Sequence, residues 1–164
     1  MTDDPKADIE TAAEFFRAAT QFDWTWGTGD IERFSRLVGW APAELSTEST
    51  IVMTTSAQLE KPLGRVEVHG AKIHQVTVHL VDSVDAAWHE FLVGVFDEAV
   101  ATVNDILGAP FAVVPERRSK VFWDNPAFVG ELVLLDRIVI GSVVRRDYPP
   151  LVDELEGRGF WPPE

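Results

Sequence analysis

Arg65-Val66-Glu67-Val68-His69-Gly70-Ala71-Lys72-Ile73-His74-Gln75-Val76-Thr77-Val78-His79-Leu80-Val81 is the clearest β-hairpin in the chain, and the rest of the architecture is read outward from it. Polar and apolar residues alternate from Arg65 to His69, the period of a half-buried strand. Gly70 marks a tight turn, and Ile73 to Val81 returns antiparallel with Val76, Val78 and Leu80 on one face. Upstream, Thr50-Ile51-Val52-Met53-Thr54 is β-branched and predicts a third strand, set off by Lys61-Pro62-Leu63-Gly64. A sheet with one apolar face requires a covering layer.

Helices on both sides of this strand group supply that layer. Residues 8–19 carry Ile9, Ala12, Ala13, Phe15, Phe16 and Ala19 near the i, i+3, i+4, i+7 spacing of an amphipathic helix. A turn-rich joint from Thr20 to Gly29 follows, then a short helix with Asp30 near its start and Ile31, Phe34, Leu37 and Val38 as its apolar stripe. Gly39 is its αL stop, and Trp40-Ala41-Pro42 opens a loop reaching about Thr47. Residues 83–107 predict the longest helix, with Trp88, Phe91, Leu92, Val95, Phe96, Ala99, Val103, Ile106 and Leu107 in helical period and Gly108 and Pro110 ending it. A second strand group comprises Lys120–Trp123, Val129–Leu135 and Ile138–Val144, with Asp136-Arg137 turning the last pair. Pro149 or Pro150 starts a final helix to about Glu156.

The expected fold is therefore α+β, order ααβββαβββα: one antiparallel sheet built from two strand groups, with the long helix and the N-terminal helices packed on it. A single domain spans 1–164, with residues 1–7 a flexible N-terminus and 157–164 a Gly/Pro/Trp tail. The element order resembles type III secretion chaperone-like folds, an analogy of fold that leaves function open.

Composition narrows the function classes. The 164 residues carry 27 Asp+Glu against 14 Lys+Arg, a net charge of −13, which argues against a nucleic-acid binder because phosphate contacts need a basic footprint. The absence of cysteine excludes disulfides and thiolate chemistry. The start, Thr2-Asp3-Asp4-Pro5-Lys6, lacks the basic-then-apolar pattern of a secretory signal, and no apolar run approaches the ~20 residues of a membrane span. The expected compartment is cytoplasmic, with no membrane partner.

Charge is unevenly placed. Residues 1–116 hold 19 acids and 7 bases, residues 117–146 hold 3 acids and 6 bases, and residues 147–164 hold 5 acids and one base. Arg117, Arg118, Lys120, Arg137, Arg145 and Arg146 form the net-positive stretch, and ion pairing to the acidic helices is their expected use.

No catalytic residue is assigned and no cofactor expected. His69, His74, His79 and His89 lie within 21 residues, and His69 and His79 could approach across the hairpin, yet no helical ligand pair accompanies them, so no metal is assigned. Gly27-Thr28-Gly29 before a helix could cradle a phosphate, but no Lys-Ser/Thr follows, and Asp30 and Glu32 would repel an anion. The candidate contacts are for a protein partner: Glu90, Asp97, Glu98 and Asp105 on the long helix, with Trp24 and Trp26 as anchors, since tryptophan is enriched at interface hot spots.

Trp24-Thr25-Trp26, the short helix ending Leu37-Val38-Gly39-Trp40, the strand pair and the later Val121-Phe122-Trp123 resemble an uncharacterised family of small acidic actinobacterial proteins, over about residues 15–145. That family is similar to the immunity factors of polymorphic-toxin systems. The resemblance implies a non-catalytic binding protein that inhibits a cognate toxin, a basic domain, by occluding its active site. A secretion-system chaperone or adaptor is the alternative, and a small-ligand or metal-dependent enzyme using His69 and His79 a second one.

Overall fold

The computed structural model describes residues 5–43 and 46–163. Four α-helices and an eight-stranded antiparallel sheet make up the fold, in the order α1 (Ile9–Gln21), α2 (Gly29–Val38), β1 (Ala41–Pro42), β2 (Thr50–Thr54), β3 (Leu63–His69), β4 (Lys72–His79), α3 (His89–Leu107), β5 (Ala112–Val114), β6 (Lys120–Asp124), β7 (Val129–Leu134), β8 (Val139–Val144) and α4 (Pro149–Gly157). The strands lie in the order β1-β2-β3-β4-β8-β7-β6-β5. Two four-strand meanders thus meet where β4 pairs β8, in the register Gln75↔Val144 to His79↔Ile140.

Both strand groups have one more strand than the sequence reading expected. β1 and β5 are edge strands of two and three residues, too short to show an alternating pattern. The long helix also starts later than residue 83. Asp85 accepts a hydrogen bond from the Ala87 N–H and caps a 3-10 turn, Ala86–Trp88, which leads into α3. Trp88 therefore sits in that turn, 37% exposed, rather than in the core. Leu37 likewise leaves the apolar stripe of α2 and is exposed.

The core sits between the sheet and α1 and α3, which pack on each other and on its central strands. Asp8 sets the start of α1: Oδ1 accepts from the Thr11 N–H at 2.9 Å, and Oδ2 accepts from Thr11 Oγ1 and the Gln58 N–H. Phe15 and Phe16 are buried from α1, and Leu92, Val95, Phe96, Ala99 and Val103 from α3. Phe16 lies directly over Gly141, where an added Cβ would come within 3.1 Å of its ring. Phe15 stacks on Trp40 at 5.5 Å, and Phe34 meets both rings edge-on.

On the far face of β5–β8, α4 closes a second cluster: Leu151 and Leu155 pack with Ala112, Val114, Phe122, Val129 and Val144, and Phe111, Tyr148, Phe160 and Trp161 adjoin. The Gly/Pro/Trp tail is thereby held down, with Arg146 over the Trp161 ring. At the other terminus, Ala7 bridges to Val81; residues 1–4 of the expected flexible start, and Glu164, lie outside the described residues.

Candidate functional site

Two surfaces collect the residues singled out by sequence. One is the outer face of α3. Glu90, Asp97, Glu98 and Asp105 are all exposed, and the 100° step of a helix places spacings of 7, 8 and 15 residues within an arc of about 100°. Gly94 and Ala101 lie between them, also exposed, so the carboxylates stand along a ridge about 22 Å long with small residues in its middle. None of the four takes part in an ion pair among the described residues.

Most of the cations elsewhere are paired. Arg117 and Arg118 meet Asp136, Lys120 meets Glu154, Arg145 meets Asp147 and Arg146 meets Asp124. Their partners lie in turns, on β6 and on α4 rather than on the long acidic helix, because strand neighbours and the covering helix bring carboxylates closer. The ridge of α3 is left uncompensated.

The second surface is a cleft of about 490 Å³ at one end of the sheet, lined by Thr25, Trp26, Gly27, Ala71, Lys72, Ala127, Arg145, Arg146 and Asp147. The joint between α1 and α2 forms one wall. Its backbone is stapled to the hairpin by Thr28 N–H to the Ala71 carbonyl at 3.1 Å and Ile73 N–H to the Trp26 carbonyl at 2.8 Å. Trp26 has φ +61, a left-handed conformation that costs a bulky residue roughly 1–2 kcal/mol. Asp30 holds it there. The Asp30 carboxylate, 1% exposed, accepts from the N–H groups of Thr25 and Trp26, from Thr25 Oγ1 and from Arg33. Burial alone would raise its pKa, but these hydrogen bonds together hold it below the ordinary carboxylate value.

Trp24 and Trp26 stack on each other at 4.6 Å and pack on the core from this joint. Their indole N–H groups donate inward, to the carbonyls of Ala19 and Ala127. The tryptophans and the four α3 carboxylates therefore belong to different elements, and only Trp26 lines the cleft.

The histidines do not form the pair considered above. His69 is in register with Lys72 at the turn of the hairpin, whereas His79 lies at the opposite end of β4, in register with Ile140. The bulge at Glu67/Val68 and the hairpin geometry bring His69 to His74 instead, at 6.0 Å, and His74 stacks on Tyr148 at 4.5 Å. Arg145 Nη2 donates to His74 Nδ1 at 3.0 Å. Burial, then Arg145 and His69, lower the His74 pKa; burial and Arg65 push His79 down to about 4. Among the described residues no three His, Asp or Glu side chains group as a metal site.

Two features were illegible in the sequence. Lys72 joins Arg145 and Arg146 only because β4 pairs β8, where Arg145 N–H donates to the His74 carbonyl at 2.9 Å. Glu131 points from β7 to the α4 side, between Phe122 and Ser142 in register and beside the Lys120–Glu154 pair. Burial raises its pKa to about 7, against the pull of Lys120. A glutamate in an apolar run gave no signal of this.

No helix among the described residues is long and apolar enough to cross a membrane. No curated protein and no solved structure matches the chain. A family model, described as a family of unknown function, does match residues 10–143, which run from the first turn of α1 through β8 and stop before α4. The chain thus belongs to the uncharacterised family DUF6301.

Proposed function

We propose that the chain is a non-catalytic binding protein of bacterial origin, a cytoplasmic immunity protein that occludes the active site of a cognate toxin with a basic cleft. The observation that carries this reading is the α3 ridge: four exposed carboxylates on one helix face with no cation paired to them, in a protein that pairs most of its arginines. Such a face accelerates encounter with a basic partner and disfavours acidic ones. A helix backed by buried Leu92, Phe96 and Val103 presents those charges on a backbone already ordered before binding.

The test is co-expression with a secreted basic toxin domain encoded nearby. Relief of toxicity and a one-to-one complex with the folded domain support the reading. Unrelieved toxicity and no complex with any such domain overturn it.

A secretion chaperone is the second reading, favoured by β5. It is the outermost strand of its half of the sheet, and Val113 is 51% exposed, so an extended client segment could add to that edge. A chaperone would bind a short terminal peptide of its partner, whereas an inhibitor needs the folded domain.

A further inference from the structure

We propose that the cleft at the end of the sheet is a binding site for a small organic anion, a molecule carrying a phosphate or carboxylate group on an apolar body. Its volume, about 490 Å³, is that of a small-molecule site, and it lies where the α1–α2 joint, the β3–β4 turn, the β6–β7 turn and the end of β8 converge.

Charge selects the ligand class. In a chain of net charge −13, this cleft is lined by Lys72, Arg145 and Arg146 against a single carboxylate, Asp147. Lys72 has no carboxylate partner among the described residues, and Arg146 spends only Nη1, on Asp124 and the Asn125 carbonyl. A guanidinium carries five donors, so Nε and Nη2 of Arg146 remain for a ligand. The same groups act on His74: after burial, Arg145, His69 and Lys72 disfavour its protonation, and Asp147 opposes them.

The wall is built in advance. Trp26 is held at positive φ by Asp30, and Gly27 borders the cleft just before α2. Of the two acids expected to repel an anion, Asp30 is turned inward and hydrogen-bonded by Thr25, Trp26 and Arg33, and Glu32 is paired with Arg36. Trp26, Ala71 and Ala127 give the apolar lining that an organic body needs and that a bare inorganic ion does not use. A second cleft continues past Arg146 and Asp147 to Pro149, Val152 and Trp161, leaving room for the body to extend.

The test is an amide-resolved NMR titration of the full chain with phenyl phosphate, benzoate, inorganic phosphate and phenol. Phenyl phosphate or benzoate should give saturable shifts confined to Thr25–Thr28, Ala71, Lys72, Ala127 and Arg145–Asp147, with inorganic phosphate and phenol each weaker. Lys72→Gln, at the exposed start of β4, should weaken binding by about fivefold or more, and Lys72→Arg should restore it. Shifts absent up to about 20 mM of either organic anion, scattered over the surface, or unchanged in Lys72→Gln would overturn the proposal.

Discussion

At Asp30 two carboxylate oxygens collect four donors from Thr25, Trp26 and Arg33, which fix the backbone of the α1–α2 joint at Thr25 and Trp26. Asp30→Asn turns an amide N–H₂ toward some of those donors and should cost about 3 kcal/mol, read as a lowered denaturant midpoint. Because the folded-state pKa is depressed, the stability Asp30 supplies is present above its unfolded value of 3.8 and is lost as pH falls through the lower folded value. Glu131 has the opposite sign. Its pKa rises from 4.5 to about 7 on folding, so stability is full below pH 4.5, falls as the unfolded chain ionises first, and levels off above the folded value. Glu131→Gln removes that dependence. Relative to wild type it should gain about 3 kcal/mol between pH 4.5 and pH 8; parallel stability curves for the two proteins would refute the assignment.

Element by element, the termini of α2 show how local chemistry sets a boundary. Gly39 has φ +76 and its surroundings leave space for a methyl group, so Gly39→Ala meets backbone strain alone and should cost about 1 kcal/mol in thermal or denaturant unfolding. That stop was legible in sequence, as were the hairpin around Gly70, the turn at Asp136-Arg137 and the proline start of α4. Each depends on residues close in the chain. The edge strands β1 and β5 were not legible, because two or three residues hold no period and their pairing is dictated by β2 and β6. The positions of Trp88 and Leu37 were misread for a related reason: a helical period continues on paper after the local geometry has become a 3-10 turn or rotated to solvent. The acidic ridge needed only the step of a helix and was visible. The cleft needed the β4–β8 pairing, a contact across some 70 residues that no local pattern encodes.

Across the whole molecule, a net charge of −13 is unevenly spread, and two regions of opposite character stand out: an unpaired acidic ridge on α3 and a cationic cleft at the sheet end. Elsewhere many arginines pair with carboxylates at the surface, as Arg117 and Arg118 do with Asp136, where solvent screens the pairs and they add little to stability. Asp97 and Glu98 are exposed and make no ion pair among the described residues, so Asp97→Lys/Glu98→Lys should leave the unfolding midpoint nearly unchanged, within about 0.5 kcal/mol. On the proposed function, this ridge meets a basic toxin domain. Its most direct test is the association rate with that domain, measured for wild type and for Asp97→Lys/Glu98→Lys from low to high salt. The wild-type rate should fall steeply as salt rises, and the double variant should be slower by about tenfold at low salt with a much flatter dependence. Equal rates for the two proteins at every salt concentration would contradict it.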